Sequence, residues 1–298
     1  MKLLITGALK KDEEFFKKLE DYGYEISYIS DERIPLQEQN IDPAVFDGVI
    51  CNSLFLYTPI ERFANLRFIQ LTSAGLDRVP LEYVRTKNIK LYNASGVYSV
   101  PMAEFAVCGV LQLYKQSRFF CENQKQRLWQ KHRGLQELSG KSVIIVGCGS
   151  VGRECAKRFE AFGCDVTGVD VREINCKYFQ KTVFIALLND VIPHADIVIL
   201  TVALTNETYH LFGKQQFSLM KDGAVFVNIS RGGIVDTEAL TDMVSRLGGA
   251  VLDVFEEEPL SKTSPLWNFE NVIVTPHNSF VGDNNRGRLM SLILQNLC

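Results

Sequence analysis

Three short segments of the chain lead into side chains suited to handling a small carboxylic acid. Residues 224–236, AVFVNISRGGIVD, run from an apolar stretch into a glycine-rich turn that presents Arg231. A guanidinium can grip a carboxylate through two parallel hydrogen bonds. Residues 251–259, VLDVFEEEP, lead into an acidic turn carrying Glu256, Glu257 and Glu258 and closed by Pro259. Residues 272–280, VIVTPHNSF, place His277 just behind a proline. An imidazole ordinarily titrates near pH ~6.5, so it can give or take a proton under neutral conditions. Parallel α/β sheets hold their active sites in loops beyond the carboxyl ends of the strands. One cation, one acid and one imidazole are expected to converge there.

A fourth segment supplies the partner for such chemistry. Residues 143–170 hold an apolar strand, the turn Gly147-Cys148-Gly149-Ser150-Val151-Gly152, a helix, a second strand and then Asp170. Three glycines at this spacing are weak evidence alone, but the flanks follow the order that a dinucleotide-binding unit requires. The glycines would permit a tight turn, close approach of backbone to a pyrophosphate, and tight packing of helix on strand. Val151, Cys155, Ala156, Phe159 and Phe162 recur near helical spacing, and Gly163 reads as the stop. Asp170 lies 18 residues past Gly152, where a carboxylate can accept from the adenosine ribose hydroxyls and repel a 2′-phosphate. NAD is therefore expected over NADP, with Arg172 close enough to soften the preference.

Elements must hold these groups in place, and the chain is long enough to supply them. At 298 residues two domains are the better expectation. Net charge is −3 without long blocks of one sign, so neither a nucleic-acid footprint nor a polybasic membrane patch is visible. The eight cysteines lack CxxC pairs and read as reduced packing residues, and no segment approaches a secretory signal or a membrane span. A cytoplasmic protein follows from this. Residues 2–6, 25–29, 48–51, 67–71 and 89–92 read as strands of a first unit, with a helix over 12–21. A long helix is expected over roughly 101–120, followed by a Gln- and Lys-rich piece to 139. A second strand series starts at 143 and continues near 166–169, 197–200, 224–229, 249–252 and 272–274, with a final helix over about 280–298.

Taken together, the ordered segments TSAGLDRV (72–79), GVYSVPMAEF (96–105), GCGSVG with Asp170, NISRGGIVD (228–236), LDVFEEEP (252–259) and TPH (275–277) resemble the D-isomer-specific 2-hydroxyacid dehydrogenase family over nearly the whole chain. The resemblance implies two doubly wound α/β domains. A Rossmann NAD domain, residues 100–278, would be inserted into a smaller flavodoxin-like substrate domain, residues 1–99 plus 279–298, with the active site in the interdomain cleft. It places the catalytic arginine, glutamate and histidine on Arg231, Glu258 and His277, leaving Glu256 and Glu257 as solvated acids. It also implies that amides of Ser73, Ala74 and Gly75 hold the substrate carboxylate beside Arg231. The cofactor would be bound by Gly147, Gly149, Ser150, Val151, Gly152, Asp170, Val202, Ile229 and Asp253. The implied activity is hydride transfer between NAD(H) and a small D-2-hydroxy or 2-oxo acid, with His277 as general acid and base and no metal. A homodimer formed through residues 101–139 is implied as well.

Three departures and two rival readings accompany this resemblance. Ala203 stands where the family usually has proline, the 236–253 segment looks short, and Asn278 and Ser279 replace small apolar residues, suggesting a more polar pocket rim. With the chain ending at Cys298, effector control of the kind seen in longer phosphoglycerate dehydrogenases is not expected. A non-catalytic NAD-sensing regulator of the corepressor type is the alternative on the same fold. A formate dehydrogenase would carry glutamine at Glu258. His132, His194 and His210 match no motif, and Trp267 reads as a packing residue.

Overall fold

The apolar runs pair edge to edge into two sheets in which every neighbour is parallel. The computed structural model describes residues 1–298, which divide into Met1–Tyr98 with Gly282–Cys298 as one unit and Ser99–Val281 as the other. In the first, strands β1 (Lys2–Thr6), β2 (Glu25–Ile29), β3 (Gly48–Cys51), β4 (Phe68–Leu71) and β5 (Lys90–Tyr92) take the order β2-β1-β3-β4-β5. That is the flavodoxin-like doubly wound order. Leu3 and Ile5 pack on one face of the sheet with Leu289 and Ile293 of the terminal helix Asn285–Leu297, whereas Leu4 and Val49 pack on the other. A residue-by-residue alternation with both faces buried explains why the inner strands β1 and β3 are almost wholly apolar, whereas the edge strands β2 and β5 are not.

The second unit holds β6 (Ser142–Val146), β7 (Asp165–Asp170), β8 (Lys181–Phe184), β9 (Ile197–Leu200), β10 (Val225–Asn228), β11 (Gly249–Leu252) and β12 (Val272–Val274). Their order, β12-β11-β10-β9-β6-β7-β8, is that of a doubly wound Rossmann sheet, with the winding reversing between β6 and β9. Val143, Ile145, Ile197 and Ile199 bury one face; Ile144, Val146, Val198 and Leu200 bury the other.

Three local expectations need correction. The helix expected over 101–120 is instead two, Ser99–Tyr114 and Ser117–Gln126, broken where Gln116 takes a left-handed φ of 51°. The apolar stripe ends with buried Tyr114, so nothing holds the next turn against the core. The strand β8 was not anticipated, because a four-residue edge strand with exposed ends carries little hydrophobic signal. Phe162, read as part of a packed helical face, caps the helix Ser150–Ala161 and stays 47% exposed; the chain turns out of the helix at Gly163, φ +78°.

Asp196, just before β9, anchors this sheet. Its carboxylate accepts from the Ser142 amide at 2.9 Å, the Ser142 hydroxyl at 3.2 Å and the Lys221 ammonium at 3.0 Å. Burial works to raise its pKa, but the bonds from Ser142 and Lys221 outweigh that and hold the carboxyl below the ordinary range. A depressed folded-state pKa stabilises at pH above the unfolded value of ~3.9, and the benefit disappears as pH falls through the folded value. Asp196→Asn should therefore cost about 1–2 kcal/mol at neutral pH, with the gap from the native chain closing as pH falls through the lowered folded-state value, as read from urea midpoints across pH.

Candidate active site

The glycine turn joins β6 to the helix Ser150–Ala161, on the strand beside which the winding of the larger sheet reverses. Gly147 has φ +95°, and a methyl group on it would strike the Val202 backbone; one on Gly152 would lie 2.0 Å from the Gly147 carbonyl oxygen. Gly149 differs from both. A methyl group there would meet no protein atom within 4 Å, so a demand for glycine at that position comes from something outside the chain. The first-turn amides of a helix have no intrahelical acceptors, and a pyrophosphate brought against Gly149 would meet them.

Asp170 ends β7 with its side chain only 9% exposed. One carboxylate oxygen accepts from the Cys148 amide of the glycine turn at 2.8 Å, the other from the Arg172 amide at 3.1 Å. The turn itself therefore aims the acid expected to meet a ribose. Burial, then the neighbouring Asp170 charge, push the Cys148 thiol up to about 12, which leaves it protonated and inert.

The loops after β10, β11 and β12 form a continuous chain of contacts in this unit. Gly232 sits against the Phe255 backbone so closely that a methyl group would come within 1.8 Å of it, which seats the Arg231 turn directly on the acidic loop. Phe255 donates its amide to one oxygen of Glu258 at 3.1 Å. The other oxygen lies 2.9 Å from Nδ1 of His277. Of three consecutive glutamates, Glu258 is the one that meets the imidazole, through Nδ1.

His277 itself has φ +51°, a left-handed conformation that costs a non-glycine residue about 1 kcal/mol or more. The surroundings that impose it are visible. Its amide donates to the Asp253 carbonyl at 2.7 Å, while the fully buried Asp253 carboxylate accepts from the Thr275 hydroxyl at 2.6 Å and the amides of Asn278 at 2.7 Å and Ser279 at 2.9 Å. The side chain expected against a nicotinamide is thus committed to shaping the histidine loop. Ser279, expected on a pocket rim, is 2% exposed. Ile229 is buried and Val202 half-buried at the ends of β10 and β9.

In the smaller unit, the Ser73-Ala74-Gly75 turn follows β4. Its carbonyls are occupied: Ser73 accepts from the Ala94 amide at 2.9 Å, Ala74 from the Asn93 side chain at 2.7 Å, and Gly75 from the Ser73 hydroxyl at 3.2 Å. The amides of the same three residues donate to no protein acceptor. Oriented amides with no internal partner are the backbone form of an anion site.

Sequence reasoning missed some supporting residues. Asn228, 1% exposed, accepts from the amide and hydroxyl of Ser230 and donates to the Arg231 carbonyl at 3.1 Å, fixing the turn that bears the guanidinium. An Asn-x-Ser at a strand end is a readable turn signal. Glu256, expected as a solvated acid, instead pairs with His210 at 2.5 Å. Trp267 is half-exposed and donates to the Ser261 carbonyl at 2.9 Å, so it pins a surface turn rather than filling a core.

A family model described as "D-isomer specific 2-hydroxyacid dehydrogenase, NAD binding domain" matches residues 107–279. The chain belongs to the D-isomer specific 2-hydroxyacid dehydrogenase family. The matched stretch contains the glycine turn, Asp170, Arg231, Glu258 and His277. A D-3-phosphoglycerate dehydrogenase of Methanocaldococcus jannaschii is 34% identical over 229 residues, 73% of this chain and 42% of that protein. The match thus spans less than half the length of that relative. A glyoxylate reductase of Korarchaeum cryptofilum is 30% identical over 246 residues, 80% of this chain and 74% of that protein. Among solved structures, a D-isomer specific 2-hydroxyacid dehydrogenase family protein from Aeromonas salmonicida superposes with a TM-score of 0.83 at 28% identity, covering 99% of this chain and 94% of that one. The named relatives are a dehydrogenase and a reductase, and they lend nothing to the regulator reading. No helix is long and apolar enough to cross a membrane.

Proposed function

We propose that the chain is an NAD-dependent D-2-hydroxyacid dehydrogenase, reducing a small 2-oxo acid or oxidising the corresponding D-2-hydroxy acid. The observation that carries this reading is the Glu258–His277 pair at 2.9 Å, on loops contiguous with the Arg231 turn. When bound, NAD(H) would supply the hydride donor or acceptor, and the glycine turn and Asp170 would hold it.

The protein's own groups do the rest. Arg231 grips the substrate carboxylate, and the unpartnered amides of Ser73, Ala74 and Gly75 in the smaller unit are suited to binding the same group. Arg231 also polarises the C2 carbonyl and stabilises the charge that develops on its oxygen. Nε2 of His277 delivers a proton to that oxygen in reduction and removes it in oxidation, while Nδ1–H donates to Glu258, which fixes the tautomer and orients the ring. Asp253 holds the loop, and hence the ring, in the conformation this requires. Asp170 favours the unphosphorylated ribose, so NAD is the preferred cofactor.

The deciding experiment is an NADH-oxidation screen across 2-oxo acids, run in parallel with NADPH. Turnover of at least one acid, faster with NADH, is expected; silence across the panel with both cofactors would sink the reading.

Homodimerisation through residues 101–139 belongs to the same proposal. Trp129 is fully exposed and Leu128 and Leu135 are 50% and 42% exposed. A groove of about 500 Å³ lined in part by Val107, Leu111 and Phe162 opens in the same unit. Exposed apolar surface of this kind calls for a cover. Sedimentation should return twice the chain mass, and a monomer at micromolar concentration would remove this part. A cytoplasmic location, where the free thiols would stay reduced, completes the proposal.

A further inference from the structure

A second imidazole–carboxylate pair lies in the same unit as the Glu258–His277 pair, and the mechanism above does not use it. Nε2 of His210 is 2.5 Å from one oxygen of Glu256, whose other oxygen accepts from the Thr237 amide at 2.9 Å, at the start of the helix Thr237–Met243. The Tyr209 ring stacks on the imidazole with centroids 4.0 Å apart and planes 14° from parallel. His210 takes φ +50°, a conformation that persists only where its surroundings over-determine it.

The backbone explains what is being held. The His210 amide donates to the Gly233 carbonyl at 2.9 Å, Phe212 to Ile234 at 3.0 Å, and Asp236 back to Phe212 at 2.9 Å. The segment after β9 is thereby laced to the segment after β10, two residues from Arg231. Glu256 belongs to the loop after β11, two residues before Glu258 and next to the Phe255 backbone that Gly232 touches. The His210–Glu256 contact, with these backbone bonds and the Thr237 amide, therefore ties together three successive loops, which carry Val202, Arg231 and Glu258. Burial works to raise the Glu256 pKa, but its bonds from Thr237 and His210 outweigh this and keep it in the anionic form that accepts both.

We propose that His210 and Glu256 are positioning residues: a clamp that sets Arg231 and Glu258 for the chemistry assigned under the proposed function, on which this inference rests. Neither residue touches the reacting atoms. Asp170 and the helix after the glycine turn lie outside these contacts, so cofactor binding changes far less than turnover when the clamp is lost and the carbonyl-polarising and proton-transferring groups lose register. Misplacement of reacting groups by a fraction of an ångström to one ångström lowers turnover by about ten- to a hundredfold.

The test compares His210→Ala with His210→Gln, since a glutamine amide nitrogen can donate from nearly the position of Nε2. His210→Ala should lower kcat by about tenfold or more, with KM for NADH changed far less and an unfolding midpoint near that of the native chain. His210→Gln should recover most of that kcat. Amide exchange read by mass spectrometry should quicken in residues 230–237 and 255–258 of the alanine variant and return to native rates in the glutamine variant. A native kcat in His210→Ala would overturn the clamp, as would a glutamine variant no better than alanine or exchange unchanged in both segments. If the native chain turns over no 2-oxo acid, the proposed function fails, and the exchange comparison alone still decides whether the clamp exists.

Discussion

His277→Ala should lower kcat/KM for 2-oxo acid reduction by about a thousandfold while leaving NADH binding close to native. The expectation follows from how the imidazole is held. Glu258 takes Nδ1 at 2.9 Å, and the Asp253-organised loop keeps the residue at φ +51°, so only Nε2 remains to exchange a proton with substrate. Alanine removes that proton and nothing that the glycine turn or Asp170 contributes. Steady-state kinetics with NADH fluorescence titration checks both halves. Retained turnover in the variant, with NADH binding intact, would show that the proton travels by another route. Glu258→Gln should do less damage, because glutamine can still accept from Nδ1–H and orient the ring.

Arg231→Lys should cost about a hundredfold in kcat/KM, with KM for the acid rising and kcat falling together. Lysine keeps the charge but cannot hold a carboxylate through two parallel bonds while turning a further donor toward the carbonyl. In the structure one guanidinium nitrogen donates to the Ser230 carbonyl at 2.8 Å, and Asn228 holds the Arg231 carbonyl, so the group is aimed by its own turn. A flexible ammonium would lose that aim. Kinetics on the best substrate from the screen decides the matter: an unchanged KM would mean that the carboxylate is held elsewhere, by the Ser73-Ala74-Gly75 amides alone.

Much of the framework was legible because fully buried parallel strands announce themselves. Runs such as VIIV in β6 and VFVN in β10 are apolar on both faces, and each is followed by a polar loop where the sheet must expose its carboxyl end. The short edge strand β8 escaped notice because half of it faces solvent and its pattern falls below any periodic signal. The helix break at Gln116 escaped for a related reason: nothing in the local residue types forces a left-handed turn there, and the end of the core decides it.

Residue order alone places the candidate groups in particular loops. Strand periodicity, a glycine turn of fixed spacing and the order of Arg231, the glutamate run and His277 are all local properties of the chain. Which of these groups meet is a matter of how the loops fold against one another. Glu256, Glu257 and Glu258 are alike in type and adjacent in sequence, yet the direction of their turn sends Glu258 to His277 and Glu256 to His210. Asp253 has the composition of a ligand-facing acid and is instead enclosed, because three donors of the 275–279 loop converge on it. Residue type and spacing fix what a side chain can do, but its partner depends on distances across separate loops, which no single stretch of sequence encodes.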